Sequence, residues 1–375
     1  MTDTWIAPDD APELTEAFFQ NAVIHKATSP TTKPTVCIHF VRSGPAYLPE
    51  IDAYMDFITS HGHQALVHDT GATVPLNAQV VWWMCGRVPS AEARRLKNSF
   101  HIHEYASTSA PPKAWLKDFI KHWTQPKPDY RFFQNGWVRE RMGFDDGVPY
   151  ALRDMGVAQV FFDAAAPSLP EASYEDDAQT RIPPNEFDLV YLGEMNRLLP
   201  FVPLLQSIHD AGRTLLLVGD VPDALRTQLP ASVTCTGRVP HADVPHQLRR
   251  ARFGLNLVSN IEPYNQQTST KLLEYCAVGL PVVSNDYAWV RYFAAHYQGN
   301  FHVLRDDPSS WQFSFGEALD AYPYVVPDVR ELAWPNLLGK LAIWKHLHIV
   351  PEVAAPYANA HALAQAIAEQ QGSKR

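Results

Sequence analysis

The residues from Ser269 to Asn285, STKLLEYCAVGLPVVSN, put hydroxyls, a cation and a carboxylate at the start of one helix. Leu272, Leu273 and Cys276 share a face at helical spacing, Gly279 sits where a C-terminal cap belongs, and Pro281 ends any continuation. Val282 and Val283 then read as a strand buried on both faces. A helix start presents free backbone N–H groups and the positive end of a dipole. Ser269, Thr270 and Lys271 therefore stand where an anion such as a phosphate is stabilised. One turn further in, Glu274 is an acceptor-only carboxylate suited to a pair of sugar hydroxyls. It is no capping-box partner, because the residue three positions earlier is Lys271 rather than Ser or Thr. Phosphate donors and a hydroxyl acceptor at this separation are what a nucleotide requires. The plainer reading of the same residues is a capped helix with a solvated glutamate.

A second candidate cluster is HIHEY, residues 101–105, at the end of an apolar run. His101 and His103 fall on one strand face, since side chains alternate along a strand. A zinc site would need further ligands that the sequence does not supply, and two hydrogen-bonded core histidines are the plain alternative. RSGP, residues 42–45, follows the first strand as a glycine turn without GxGxxG spacing, which argues against a dinucleotide fingerprint. No GxxxxGK[ST] occurs, so a P-loop nucleotidase is not expected.

These residues need elements to hold them, and the chain alternates strand and helix patterns in two series. Thr35–Val41 reads as a buried strand, Leu48–His61 as a helix, QALVHD and AQVVWWMCG as strands, Ala91–Asn98 as a short helix, and SFHIHEYAS as a fourth strand. The second series has strands at FDLVYLG, RTLLLVGD, SVTCTG and FGLNLV, helices at Phe201–Ala211 and Val244–Ala251, then the opening segment. Several of these strands end in glycine, where ligands collect at the carboxyl ends of open α/β sheets. The expected fold class is α/β, with two Rossmann-like, doubly wound domains facing across a cleft. The expected organisation is an N-terminal arm over 1–34 with a short helix near Glu13–Ala22, and a first domain over 35–163. A Pro- and acid-rich connection over 164–186 leads to a second domain over 187–335. A helical tail over 336–375, helix-prone at Ala354–Gln371, is expected to pack back on the first domain.

A formal net charge of −9 argues against a protein that coats nucleic acid. Cys37, Cys85, Cys235 and Cys276 lie far apart without a CxxC pair, as small buried residues of a reducing compartment do. The acidic N-terminus lacks the pattern of a secretory signal, and no apolar run approaches membrane-spanning length. The chain is expected in the cytoplasm. PPKAWLKDFIKHW, residues 111–123, carries Lys113, Lys117 and Lys121 at i,i+4 spacing among Trp115, Leu116, Phe119, Ile120 and Trp123. Such a basic, aromatic helix suits peripheral contact with the inner face of an anionic membrane through 113–123. The alternative is a surface helix whose aromatic face is buried.

Read in order, four segments from about Phe187 to Phe293 resemble the retaining GT-B family known as glycosyl transferases group 1. VYLGEM is similar to its first strand and glycine loop, and TLLLVGDVP to its LxxVGxGP segment. VTCTGRVPHADVPHQLRRARFGLNL is similar to its next glycine loop, helix and strand, and STKLLEYCAVGLPVVSN to its xxExmAxGxPVVat motif. The resemblance implies a sugar moved from a nucleotide-sugar donor, UDP- or GDP-linked, to a glycan, lipid-linked or small-molecule acceptor in surface polysaccharide or glycoconjugate synthesis. It implies no cofactor and no metal, and a donor held mainly by the second domain. Carried over by position, Glu274 matches the ribose-binding carboxylate and Gly193 the glycine over the diphosphate. Gly237 and Arg238 match the base-lining loop, and Ser269, Thr270 and Lys271 the diphosphate turn. Lys271 and Arg197 are the cations expected at the departing phosphate. His101, His103 or Glu104 is expected to reach donor sugar or acceptor, with Glu104 as base if the reaction inverts. In one respect the sequence departs from the family: Gln266 stands where a second glutamate, eight residues before Glu274, is common. A neutral amide stabilises a developing oxocarbenium ion less well. A noncatalytic nucleotide-sugar or glycan-binding module, or a GT-B-like sugar-nucleotide epimerase, is therefore the alternative.

Overall fold

The computed structural model describes residues 35–42, 44, 48–84, 87–165 and 186–349. The expected N-terminal arm, most of the 164–186 connection, the helix expected at Ala354–Gln371, Cys85 and two residues of the RSGP turn lie outside them.

Six parallel strands form a first sheet: β1 (Cys37–Arg42), β2 (Gln64–His68), β3 (Val80–Met84), β4 (Phe100–Tyr105), β5 (Tyr130–Phe133) and β6 (Tyr150–Leu152), in the order β2-β1-β3-β4-β5-β6. Helices α1 (Pro49–Ser60), α2 (Ser90–Arg95), α3 (Ala114–Thr124), α4 (Gly136–Met142) and α5 (Gln159–Ala165) complete this half. The first four strands stand where the apolar runs predict them. β5, α4 and β6 carry no such signal: β5 is YRFF behind a Pro-rich turn and β6 only YAL, too short for a period of two to show. α4 is instead defined by Asn135, whose Oδ1 accepts from the Val138 N–H as an N-cap.

The second sheet holds β7 (Phe187–Leu192), β8 (Leu215–Val218), β9 (Val233–Cys235), β10 (Ala251–Asn256), β11 (Val282–Asn285) and β12 (His302–Leu304), also parallel, in the order β12-β11-β10-β7-β8-β9. Its helices are α6 (Val202–Asp210), α7 (Asp223–Arg226), α8 (Val244–Leu248), α9 (Thr270–Ala277), α10 (Ala288–His296), α11 (Pro308–Phe315) and α12 (Glu317–Ala321), followed by α13 (Trp334–Gly339) and α14 (Ile343–His346). This is the doubly wound order that reverses at its first strand, so the switch point lies between β7 and β10.

The two sheets share one continuous hydrophobic core. It runs from Phe40, Trp82 and Phe132 of the first sheet through Phe161 and Trp334 to Val190, Leu273 and Val282 of the second. Trp344 of α14 stacks on Phe57 of α1, with ring centroids 5.0 Å apart, so the chain beyond the second sheet lies against the first. Val157 pairs with the segment before α13 through Val157 N–H to Leu332 O and Trp334 N–H to Val157 O, 2.9 and 3.0 Å.

Candidate active site

Three glycine turns meet at the carboxyl end of the second sheet. Gly193 follows β7 and Gly219 follows β8, with φ of +129° and +146°. Gly237 follows β9 and pairs with Gly219 in an isolated bridge. A Cβ on Gly219 would stand 2.8 Å from the Gly193 carbonyl oxygen, so only glycine lets these turns touch. Asp220 holds the neighbouring turn by accepting from the Arg238 N–H at 3.0 Å. Gly193, Gly237 and Arg238, expected on donor-binding loops, are thus brought together, with Arg238 exposed.

α9 starts beside the switch point. Ser269 occupies its N-cap position, but its hydroxyl does not cap: Oγ donates to Asn256 Oδ1 at 2.7 Å. Asn256 ends β10 and in turn donates to Ser284 Oγ and Tyr287 Oη. The serine therefore ties the helix start to β10, and no side chain of its own covers the first-turn N–H groups. At the other end the Leu280 N–H reaches Tyr275 O, and Gly279 takes φ +76°, which closes the helix as its sequence requires.

Lys271 is buried in the first turn of α9. Its Nζ donates to Tyr191 Oη at 3.3 Å and lies 4.6 Å from the centroid of that ring. Burial, reinforced by the Arg197 charge and opposed by Glu274, lowers its pKa to about 7. Arg197 stands in the turn after Gly193 with its guanidinium 5.4 Å from the Tyr264 ring centroid. Two cations from opposite sides of the switch point thus converge, and an anion between them would relieve their repulsion. Glu274, one turn along α9, is half-buried with its Oε1 3.7 Å from His241 Nε2. Burial raises its pKa, against the opposing pull of His241 and Lys271. His241, Tyr191, Asn256 and Tyr264 were not singled out from sequence. Only His241 had a pointer, its place just after the Gly237–Arg238 turn.

In the first half the structure corrects two expectations. His101 does not reach the cleft: Trp83 Nε1 donates to its Nδ1 at 3.0 Å and its Nε2 lies 2.9 Å from Leu96 O. Both ring nitrogens are used, so it is a hydrogen-bonded core residue. Glu104 is no free base: on the opposite face of β4 it is enclosed by an ion pair to Arg153 and accepts from Trp82 Nε1 at 2.8 Å and Tyr54 Oη at 3.1 Å. Strand alternation decides this, since the even positions of β4 face the core that α1 and α14 cover. His103 shares the face of His101, contacts Tyr105 Oη at 3.3 Å and is held neutral, its pKa lowered to about 3 by burial first and then by the Arg131 charge.

The carboxyl ends of the two sheets meet around residues 262–268. Asn135 Nδ2 donates to Gln266 O at 3.0 Å and Gln267 Nε2 donates to Ala106 O at 3.3 Å. Thr268 Oγ1 donates to Asp154, and Arg141 lies 3.7 Å from Glu262. Asn135 thus caps α4 with one side-chain atom and holds the Gln266 backbone with the other.

Two Rossmann-like halves with glycine turns, a helix start and two cations at the second switch point define a GT-B glycosyltransferase fold. Solved structures agree. The chain is similar to a glycosyltransferase from Rickettsia africae ESF-5 (12% identity, 84% of this chain and 98% of that one, TM-score 0.57). It is also similar to Anabaena Alr3699/HepE (11%, 90% and 99%, 0.55) and to sucrose-phosphate synthase from Thermosynechococcus elongatus (13%, 90% and 98%, 0.54). No curated protein matches the sequence significantly. Residues 186–319 match the family model described as glycosyl transferases group 1.

Proposed function

We propose that the chain moves a sugar from a UDP- or GDP-linked donor to a hydroxyl of a glycan, lipid-linked or small-molecule acceptor. A role in surface polysaccharide or glycoconjugate synthesis, at the inner face of a membrane, goes with that reading. The observation that carries it is the convergence of Lys271, Arg197 and Glu274 at the switch point beside the start of α9. In this reading Glu274 accepts from the ribose hydroxyls, and His241 orients it. Lys271, Arg197 and the first-turn N–H groups of α9 take the diphosphate, and Gly193 lies over it. Gly237 and Arg238 line the base, and Gln266 lies at the donor sugar.

The reaction breaks the bond from the anomeric carbon to the phosphate oxygen and forms one to the acceptor oxygen. The departing diphosphate gains negative charge, which Lys271 and Arg197, rather than a metal ion, neutralise. With Glu104 engaged in the core, the acceptor proton has a simpler destination in the departing phosphate itself, which favours retention. Among related structures, Anabaena HepE is described in complex with UDP and with UDP-glucose, so UDP is the first nucleotide to try. Thermal shift with UDP, GDP, CDP and dTDP identifies the base; a ligand at a hundredfold its Kd adds about 2.7 kcal/mol. Glu274→Ala should weaken the nucleotide that binds by about 1.5–3 kcal/mol, the value of a lost charged hydrogen bond. Binding of none of the four, or an unchanged affinity in the variant, overturns the assignment.

A further inference from the structure

α3 is fastened to the body of the protein by its polar side. Asp118 is the buried residue of the helix, and its Oδ1 accepts from the Ser109 N–H at 2.9 Å. One turn on, His122 stacks on Phe144. The aromatic residues face the other way. Trp115, Phe119 and Trp123, at i, i+4 and i+8, are 66%, 57% and 71% exposed, and Ile120 beside them is 45% exposed. Packing within the fold therefore does not account for this row, and the sequence alternative of a buried aromatic face does not hold. A contiguous apolar ridge of this kind marks an interaction surface.

Its rim identifies the partner. Lys113 and Lys117 are exposed at the start of the helix, while Lys121 pairs with Asp118 at 4.0 Å and Lys127 Nζ donates to Asp146 O at 2.8 Å, in a chain whose formal net charge is −9. Lys117 Nζ is held to Ala110 O at 3.0 Å, which keeps it at the edge of the helix start. A positive rim around two tryptophans, a phenylalanine and an isoleucine fits anionic headgroups above an acyl boundary, where indole rings are favoured. A second copy that met this face with the same face would set its lysines against lysines. At 11 residues α3 is too short to cross a membrane, so its own contact is with the surface.

We propose that α3 seats Trp115, Phe119, Ile120 and Trp123 in the interface of an anionic membrane, with the flanking lysines on its headgroups. The surface stands on these exposures and charges and is independent of the donor-site reading. Sedimentation of the full chain with vesicles of phosphatidylcholine alone, and with about one-third phosphatidylglycerol, tests it. Binding should require the anionic lipid, fall at high salt, and shift tryptophan emission to the blue. Trp115→Ser with Trp123→Ser, and separately Lys113→Glu with Lys117→Glu, should each weaken it at least tenfold, a factor to which loss of one basic residue alone contributes roughly fivefold. Both variants should keep the far-UV circular dichroism and the Tm of the parent chain, which shows that they are folded and separates this test from that of the donor site. Equal binding to neutral and anionic vesicles, no binding, or variants that bind as the parent does overturn the proposal. So does concentration-dependent self-association that the same variants abolish, which makes a second copy the occupant.

Discussion

Lys271→Met should make the ligand-free protein more stable and its diphosphate binding weaker. The lysine pKa falls from its ordinary 10.5 to about 7 in the folded chain. The folded value is depressed, so between these limits the unfolded chain binds more protons than the native one. Stability then rises with pH across the window from about 7 to 10.5, and the cost of the buried cation is nearly complete at its lower end. The difference, 10.5 − 7, at 1.36 kcal/mol per unit is on the order of 5 kcal/mol, and relaxation around the site brings the observable effect to a few. Methionine keeps the packing against the Tyr191 ring without the charge. Urea unfolding of parent and variant at about pH 7 and about pH 9.5 reads the term directly, because other titrating groups cancel in the difference between the two proteins. The variant should be the more stable at the lower pH, and the gap should shrink at the higher. In the proposed donor site diphosphate binding recharges the lysine, so UDP titrations near pH 8 in buffers of different ionisation enthalpy should show proton uptake by the parent and less by the variant. UDP affinity should fall roughly ten- to a hundredfold, as for one charged hydrogen bond. A variant less stable at both pH values, with no difference in proton uptake, would refute the idea that Lys271 is a strained cation awaiting an anion.

Two other substitutions separate structural from donor-site roles. Glu104→Gln leaves Arg153 buried without its charge partner and should destabilise the fold by about 3–5 kcal/mol in chemical denaturation, while nucleotide affinity of the folded protein stays unchanged; loss of transfer activity with unchanged stability would instead restore Glu104 as a base. Gly219→Ala places a methyl 2.8 Å from the Gly193 carbonyl at a φ of +146° and should both lower Tm and weaken nucleotide binding, and a variant that retains both shows that the glycine turns need not touch.

The periodicity of the apolar runs was enough to read α/β architecture, because strands buried on both faces are nearly continuous hydrophobic segments. Val80–Met84, wholly buried, is the clearest case. The glycine turns at the carboxyl end of the second sheet were legible for a related reason. In doubly wound sheets the ligand sits at strand ends, and Gly193, Gly237 and the start of α9 are local features of the chain. The short strands β5 and β6 were not legible, because three or four residues carry too little periodicity.

What the sequence by itself determined is therefore local: strand and helix order, the turn glycines, and the residue types at the second switch point. Partnership was decided only by the tertiary structure. Two histidines and a glutamate in HIHEY read as one cluster, yet strand alternation turns His101 and Glu104 to opposite faces and commits each to core partners. Ser269 reads as a cap and instead ties α9 to Asn256. Lys271 and Arg197 lie far apart in the chain, and the sheet order that sets β7 next to β10 brings their charges into interaction. The physical reason is the same throughout. A side chain's chemistry depends on burial and on neighbours within a few ångströms, and in a parallel sheet with crossover connections most of those neighbours are distant in sequence.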